Sequence, residues 1–174
     1  MKNIEMAQDF LQPSQSNMVV EKTINSRGWH FGQFSSNDPQ VKNFPFWMMT
    51  LDHDPFFTES MFAHIQQSFK KKFTLERVYA NGQTYGLPGS FHKDSESALS
   101  YTFLYYANPE WNPMWGGETM IQTPDSGIVA VTPMFNSGVL FPGDWWHMGK
   151  EPTRHFEGLR VTVAFKLLFA GDMR

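Results

Sequence analysis

The chain has 174 residues, a net charge of -3 and no cysteine; 41% of its residues are hydrophobic and 18% are charged. This length predicts one domain, residues 1–174, that buries roughly 70% of its unfolded surface. The charge excludes a general attraction to nucleic acid or anionic membranes, and the lack of cysteine excludes disulfides and thiolate metal sites. No apolar run is long enough for a membrane span or a signal peptide, so a cytoplasmic protein is expected.

Three extended segments are predicted near the start of the chain. Apolar and other residues alternate over residues 17–24, which favours a strand near a sheet edge. Residues 28–34 and 43–51 are rich in aromatic side chains, and Pro45 interrupts the second of these segments. All three segments are therefore expected to be extended.

One helix is predicted after these segments. Asp54 followed by Pro55 supplies an N-cap and a first-turn proline. Apolar residues then recur four positions apart at Met61, Ile65 and Phe69, which places them on one face. We expect that face to pack against a sheet.

The remainder of the chain predicts short strands separated by turns. The strands are expected at 74–79, 98–106, 117–122, 127–132, 137–141 and 159–169. The pair Asn81-Gly82 predicts a turn that opens a loop extending to Gly89-Ser90. The chain is therefore predicted to be mostly β with an N-terminal helix, as a sandwich or barrel.

Two of the predicted strands carry one apolar face and one mixed face. The mixed faces consist of Ser100, Thr102, Leu104 and Tyr106 on one strand, and Arg160, Thr162, Ala164 and Lys166 on the other. Such faces could line a polar cavity or could be exposed to solvent, as in any half-buried antiparallel strand. The pattern alone leaves both interpretations open.

The most informative motif is His92-Lys93-Asp94, considered together with His147. On an extended strand, residues two apart project to the same face, so His92 and Asp94 would point at a common centre. A second imidazole from His147 would complete a facial triad, the ligand set of non-haem iron(II) oxygenases. The spacing alone is weak evidence, since a His-x-Asp sequence also arises by chance.

The order of motifs around this triad strengthens the hypothesis. After His92-Lys93-Asp94 come a strand ending Tyr106-Ala107-Asn108, then Gly116-Gly117-Glu118, then His147 after a strand containing Phe141, and finally Arg160-Val161-Thr162. Over roughly residues 75–169 the chain resembles the iron(II)- and 2-oxoglutarate-dependent oxygenases of the prolyl and procollagen-lysyl hydroxylase-like group. The resemblance implies a double-stranded β-helix, a cupin-like jelly roll, with its catalytic core in this segment.

The resemblance also implies individual roles. The iron ligands would be His92, Asp94 and His147. Arg160 would pair with the distal carboxylate of 2-oxoglutarate, for which its planar fork of donors is suited, while Thr162 and Tyr106 would add hydroxyl contacts. His147 and Arg160 are 13 positions apart, somewhat more than in the group, so the intervening residues are expected to form a turn.

The implied activity is hydroxylation of a C–H bond with release of succinate and CO2. Its cofactors would be Fe(II), 2-oxoglutarate and O2, with ascorbate as a reductant. The expected substrate is a peptide or protein, with a peptidyl proline as the target. Tyr85, on the glycine-rich loop before His92, and Trp115 are candidate substrate contacts.

Three alternatives remain open at this stage. A cupin-type barrel could bind a metal without oxygenase activity, which would explain the triad but not Arg160, Thr162 or Tyr106. A sugar- or peptide-binding β-sandwich would need no metal, and an oxygenase could act on a free amino acid or other small molecule. Metal analysis and 2-oxoglutarate turnover distinguish these classes, and no nucleic-acid or membrane partner is expected.

Overall fold

The computed structural model of the protein describes residues 2–36, 42–125 and 127–173. The strands are β1 Glu5–Ala7, β2 His30–Gln33, β3 Phe46–Thr50, β4 Lys71–Gln83, β5 Ser100–Tyr106, β6 Thr119–Thr123, β7 Gly127–Val131, β8 Gly138–Pro142, β9 His147–Gly149 and β10 Arg160–Asp172. The α-helices are α1 Pro13–Lys22 and α2 Phe62–Phe69; a π-helical segment, Phe56–Met61, leads into α2, and Pro113–Trp115 forms a 3-10 turn. In the described ranges, no helix has the length and apolarity needed to cross a membrane.

The strands form two antiparallel sheets. The larger has the order β1-β8-β5-β10-β4-β3-β2, and the smaller has the order β7-β6-β9. An isolated bridge between His92 and His147 links the segment before β5 to the smaller sheet. This arrangement is the double-stranded β-helix that the motif order predicted, and both α-helices precede the strands that build its centre.

The main hydrophobic core lies between the larger sheet and the helices. The apolar face of β10 contributes Val161, Val163, Phe165 and Leu167, and helix α2 contributes Ile65 and Phe69. The predicted helical face is therefore confirmed, as is the apolar face of the last strand. Burying side chains of this size stabilises the fold by about 1.5–3 kcal/mol each, before conformational entropy is subtracted.

A second, smaller core lies between the two sheets. Its buried members are Leu104, Tyr106, Ile121, Val131, Val139, Phe141 and Ala164. It includes Leu104 and Tyr106 from β5 and Ala164 from β10, which belong to the two mixed faces. Those faces therefore point between the sheets, and solvent exposure is not their explanation.

The predicted edge strand at residues 17–24 is wrong, because most of this segment belongs to helix α1. Pro13 occupies the first turn, and the side chain of Gln15 accepts a hydrogen bond from the backbone N–H of Gln12. The buried positions are Ser16, Val19 and Thr23, which follow a helical spacing. Burial of one helical face therefore stabilises a helix here, although the short alternation of apolar residues favoured a strand.

The predicted turn at Asn81-Gly82 is also wrong, because strand β4 continues through both residues to Gln83. Gly82 pairs with Trp47 of β3 and with Val161 of β10. A Cβ at this position would lie 2.6 Å from Cδ2 of Leu159, so the glycine permits close packing within a strand and does not form a turn.

Candidate active site

A cavity of about 510 Å³ opens between the two sheets. One wall is the mixed face of β10, and its residues Arg160, Thr162, Ala164 and Lys166 all line the cavity. Strand β4 adds Arg77, Tyr79, Asn81 and Gln83 beside them, and the smaller sheet contributes Thr119 and His147 from the opposite side. The polar lining follows from the period of two in strands, which directs alternate residues of β4 and β10 into the same space.

The three residues of the proposed triad meet on one side of this cavity. One ligand atom from each of His92, Asp94 and His147 lies within 4.8 Å of the others. Nε2 of His92 is 3.3 Å from Oδ1 of Asp94, and Nε2 of His147 is 3.3 Å from Oδ2. His92 makes only an isolated bridge and Asp94 lies in a bend, so the predicted continuous strand is absent, yet both side chains still converge.

Hydrogen bonds to the backbone set the tautomers of both histidines. Nδ1 of His92 is 2.8 Å from the carbonyl oxygen of Ser90, and Nδ1 of His147 is 2.9 Å from that of Trp145. A carbonyl oxygen only accepts, so each Nδ1 must carry the proton and donate it. In the neutral ring, Nε2 then presents a lone pair to the cavity, as a metal ligand requires.

The charges around Asp94 favour its ionised form. Burial alone would raise the pKa of this carboxyl, but the Lys166 ammonium holds the pKa well below its usual range. Thr102 Oγ1 donates to Oδ2 at 2.5 Å, and Nζ of Lys166 makes a very short contact with the same oxygen. Burial lowers the pKa of His147, which keeps this imidazole neutral.

The donor set fits an iron(II) ion. The lone pairs of two neutral imidazoles face the oxygens of an ionised carboxylate. Each Nε2 therefore lies 3.3 Å from a carboxylate oxygen with no proton between the two acceptors. Such an arrangement is favourable when a cation lies between the groups. Imidazole and carboxylate are suitable ligands for iron(II), and the open cavity beside them leaves room for further ligands.

Arg160 lies at the start of β10 and makes no salt bridge within the described residues; the Glu118 carboxylate, which pairs with Lys150, acts on it only through a longer-range attraction. Its Nε donates to the Gly117 carbonyl at 2.5 Å, Nη1 to Oε1 of Gln83 at 2.8 Å, and Nη2 to Oγ1 of Thr119 at 3.2 Å. Arg160 is 1% exposed, and burial lowers the pKa of its guanidinium to about 10. A buried cation held only by neutral acceptors favours binding of an anionic ligand.

The connection between His147 and Arg160 is longer than in the group that the sequence resembles, but Arg160 still lines the cavity. The residues between β9 and β10 form a loop that is tied to the rest of the protein by a bridge between Gly116 and Pro152. Arg160 then begins β10 opposite Gln83, and the two side chains meet in the cavity.

Thr162 is part of the cavity lining near Arg160, whereas Tyr106 is not. Thr162 lines the cavity and is nearly buried. Tyr106 is fully buried behind the wall, where its hydroxyl donates to Oγ1 of Thr119 at 2.9 Å, and burial raises its pKa to about 12. Thr119 accepts from both Tyr106 and Arg160, so Tyr106 contacts the guanidinium through this shared hydroxyl.

The structure does not bring the two predicted substrate contacts into the cavity wall. Tyr85 is 49% exposed on its loop and stacks beneath Arg154, with 4.9 Å between the guanidinium and the ring centre. Trp115 packs against Trp111 and Phe156 on a separate shallow surface. Their role in substrate binding stays a prediction.

Of the paired tryptophans before His147, one is packed and one is exposed. Trp145 contacts the core between the sheets. Trp146 is 45% exposed, and its ring lies 5.7 Å from Nζ of Lys93, which lines the cavity. Trp146 is therefore the member of the pair nearer the cavity rim.

Four polar residues of the site were not assigned a role from the sequence: Gln83 and Thr119, which hold Arg160, and Thr102 and Lys166, which hold Asp94. The sequence contained an indication for Thr102 and Lys166, because both lie on the mixed strand faces. It contained none for Gln83 and Thr119, because their contacts with Arg160 join positions 77 and 41 residues apart.

Comparison with protein families gives one match that covers more than half of the chain. The model of the 2OG-Fe(II) oxygenase superfamily matches residues 76–165. This segment contains all three members of the triad and Arg160. Among curated proteins, no significant sequence match was found.

Solved structures with the same fold include several prolyl hydroxylases. A prolyl hydroxylase in complex with a hypoxia inducible factor peptide fragment, from Trichoplax adhaerens, gives a TM-score of 0.76 at 18% identity, covering 97% of this chain and 84% of that chain. A prolyl-4-hydroxylase from Pseudomonas putida gives 0.65 at 13% identity, with coverages of 98% and 94%. The 2OG complex of a collagen prolyl hydroxylase from Paramecium Bursaria Chlorella virus-1 gives 0.62 at 14%, with coverages of 95% and 96%. At these identities the likeness is one of fold.

Proposed function

Because the chain belongs to the 2OG-Fe(II) oxygenase superfamily, we propose that it hydroxylates a C–H bond of a peptidyl proline. The protein is a 2-oxoglutarate-dependent dioxygenase whose cofactors are Fe(II) and 2-oxoglutarate. Succinate and CO2 would be its co-products. The finer part of the proposal concerns the roles of individual residues and the identity of the substrate.

The observation that carries the proposal is the convergence of His92, Asp94 and His147 beside an open cavity. These residues would hold the iron, with each histidine fixed in the Nε2-ligating tautomer by the carbonyl group two residues before it. When bound, iron and 2-oxoglutarate supply the oxidising chemistry that activates O2 towards a C–H bond. The protein contributes ligand geometry, cosubstrate orientation and exclusion of water.

Arg160 would bind the distal carboxylate of 2-oxoglutarate. It lines the same cavity as the triad, and its guanidinium is oriented by hydrogen bonds to Gln83 and Thr119. Charge-assisted hydrogen bonds from a fixed guanidinium to a carboxylate are strong and directional. Thr162, two residues along the same strand face, would contribute a hydroxyl to this end of the cavity.

A peptide substrate is supported by the edge of the larger sheet. Strand β2 is one of the two edge strands of this sheet, and Gln33, Phe34 and Ser35 line the mouth of the cavity. An edge strand offers unpaired backbone groups to an extended chain, and exposed rings suit proline. Phe34 is 44% exposed at this mouth. The structural neighbour from Trichoplax adhaerens was solved with a peptide, which agrees with this class of substrate.

The proposal is tested by incubating the purified protein with Fe(II), 2-oxoglutarate, ascorbate and a library of proline-containing peptides. The expected result is a gain of one oxygen on proline, detected by mass spectrometry, with an equivalent amount of succinate. The His147→Ala variant is the control for metal-dependent turnover. Oxidation confined to a lysine side chain or to a free amino acid would contradict the proline assignment.

Tyr85 and Trp115 are proposed to contact the peptide outside the cavity. Replacing either with Ala should weaken peptide binding more than 2-oxoglutarate binding, as measured by separate titrations of the two ligands. Met114→Ala is the matched control for Trp115, because Met114 lies on the same 3-10 turn and is 78% exposed. Equal losses for peptide and cosubstrate would indicate that the rings act through the fold.

A second candidate substrate is a free amino acid or another small carboxylate, and Arg77 favours it. The Arg77 guanidinium lines the cavity and lies 4.5 Å from the centre of the Tyr79 ring, with no carboxylate partner among the described residues. A stacked, unpaired guanidinium is suited to bind a carboxylate. Including free amino acids in the same assay decides between the two candidates.

A further inference from the structure

We propose that Lys166 and Thr102 hold one oxygen of Asp94, so that only its other oxygen is free to bind iron. This inference rests on the proposed role of Asp94 as a ligand and extends it to two residues that have no part in the reaction described above. They act through the carboxylate and are therefore positioning residues. The consequence is a reserved coordination position on the metal.

The two oxygens of Asp94 have different surroundings. Oδ2 accepts hydrogen bonds from Oγ1 of Thr102 and from Nζ of Lys166. Each oxygen also lies 3.3 Å from an imidazole Nε2, Oδ1 from that of His92 and Oδ2 from that of His147, but these nitrogens present lone pairs when the rings are neutral. Among the described residues, no such hydroxyl or ammonium donor reaches Oδ1. The lone pairs of Oδ2 are therefore largely occupied, while those of Oδ1 remain available.

The sheet itself fixes the positions of the two donors. Thr102 of β5 is the direct neighbour of Lys166 in β10, and their side chains extend from the same face of adjacent strands. Nζ of Lys166 is also 3.5 Å from Oγ1 of Thr102, and it lies 5.6 Å from the ring centre of Tyr79. Thr102 is fully buried and Lys166 is 16% exposed, so solvent competes little for these contacts.

The number of carboxylate oxygens on the metal decides how many positions remain. A facial triad leaves roughly three of six positions open. The cosubstrate and O2 would share these open positions. If Asp94 bound through both oxygens, it would occupy one of them. Holding Oδ2 away from the metal keeps that position open.

This arrangement also weakens metal binding. The Lys166 ammonium neutralises part of the charge of the ligating carboxylate and repels a divalent cation. If Lys166 served only to stabilise the position of Asp94, its removal would loosen this ligand and weaken metal binding. The sign of the change in metal affinity therefore distinguishes the two roles.

The first test counts the water molecules on Mn(II) bound to the metal-loaded protein, using line broadening by 17O-labelled water in electron paramagnetic resonance. The native protein should show about three coordinated waters. The double variant Lys166→Met/Thr102→Val, which removes both donors and keeps similar volumes, should show one fewer. Lys71→Met is the matched control, because Lys71 pairs with Glu5 at 2.6 Å outside the cavity lining. An unchanged count in the double variant overturns the proposal.

The second test uses the single variant Lys166→Met and measures Mn(II) affinity by titration calorimetry. Tighter binding, by about tenfold, is expected because the repelling charge is gone. Weaker or unchanged binding overturns the proposal, and thermal unfolding of the metal-free variant checks that the fold is retained. If the native protein itself bound no Mn(II) or Fe(II), the proposed metal site would be wrong. That result is distinct from one that contradicts only the proposed role of Lys166 and Thr102.

Discussion

His92 and His147 are joined through their backbones as well as facing each other through their rings. The N–H of His92 donates to the carbonyl of His147 at 3.0 Å, the reverse hydrogen bond is 2.9 Å, and the ring centres are 4.4 Å apart. Two residues that are far apart in sequence are thus held as a bridge pair by backbone hydrogen bonds. This bridge contributes to the spacing of the two imidazoles.

Replacing the triad residues with Ala should abolish metal binding and 2-oxoglutarate turnover. The metal-free fold should survive in His92→Ala and His147→Ala, because their backbone bridge remains. Asp94→Ala should also lower the free energy of unfolding by about 3–5 kcal/mol, since it leaves the buried Lys166 ammonium unpaired. Metal titration and chemical denaturation measure both effects. Normal turnover by His147→Ala would refute its assignment as a ligand.

Arg160→Ala should weaken 2-oxoglutarate binding by about 2–5 kcal/mol, because a buried charge-assisted contact is lost. Arg160→Lys should recover only part of this, since an ammonium cannot reproduce the fork of donors. The measurement is anaerobic titration of the visible band expected when Fe(II) and 2-oxoglutarate bind together. Arg154→Ala, which removes an exposed arginine outside the cavity lining, is the control. Unchanged affinity in Arg160→Ala would mean that another cation of the cavity, such as Arg77, binds the carboxylate.

Gly117→Ala should impair 2-oxoglutarate binding through Arg160. A Cβ on Gly117 would lie 3.1 Å from Nε of Arg160 and 2.9 Å from the Trp111 ring, and the residue has a positive φ of 71°. Gly116→Ala is the matched control: its φ is 68°, and its Cβ would meet Thr153 instead. Both variants should lose about 1–3 kcal/mol of stability from strain and crowding. Only Gly117→Ala should also raise the 2-oxoglutarate requirement, and equal requirements would contradict this prediction.

Tyr106→Phe should reduce the sensitivity of stability to alkaline pH. Burial raises the folded-state pKa of Tyr106 to about 12, above the value of about 10 expected in the unfolded chain. The stabilisation that the neutral hydroxyl contributes is therefore complete below pH 10 and is lost as the pH rises towards 12, with about 1.4 kcal/mol lost by pH 11. The difference in unfolding free energy between native protein and variant should shrink by this amount from pH 7 to pH 11. A constant difference would show that Tyr106 does not titrate in this way.

Much of the architecture could be predicted from the sequence because strand periodicity and turn residues are local signals. The strands carrying Tyr106 and Arg160 lie close to their predicted bounds. The predicted helix is present, but its first turns, Phe56–Met61, are π-helical and only Phe62–Phe69 is α-helical. The segment 17–24 could not be predicted correctly, because its alternation is short and helix α1 is stabilised by burial of Val19 in the core. Asn81-Gly82 has the composition of a hairpin turn, but pairing on both sides holds it in β4.

The sequence by itself determined which chemical groups are available: two imidazoles and a carboxylate without any thiolate, an arginine on a mixed strand face, and a motif order that identified the family. Only the tertiary structure decided how they meet. Backbone carbonyls of Ser90 and Trp145 set the histidine tautomers, Gln83 and Thr119 orient Arg160, and Lys166 and Thr102 contact the same oxygen of Asp94. The physical reason is that these contacts join strands distant in sequence, whose register is set by sheet pairing, while local patterns specify only the side of a strand on which each group lies.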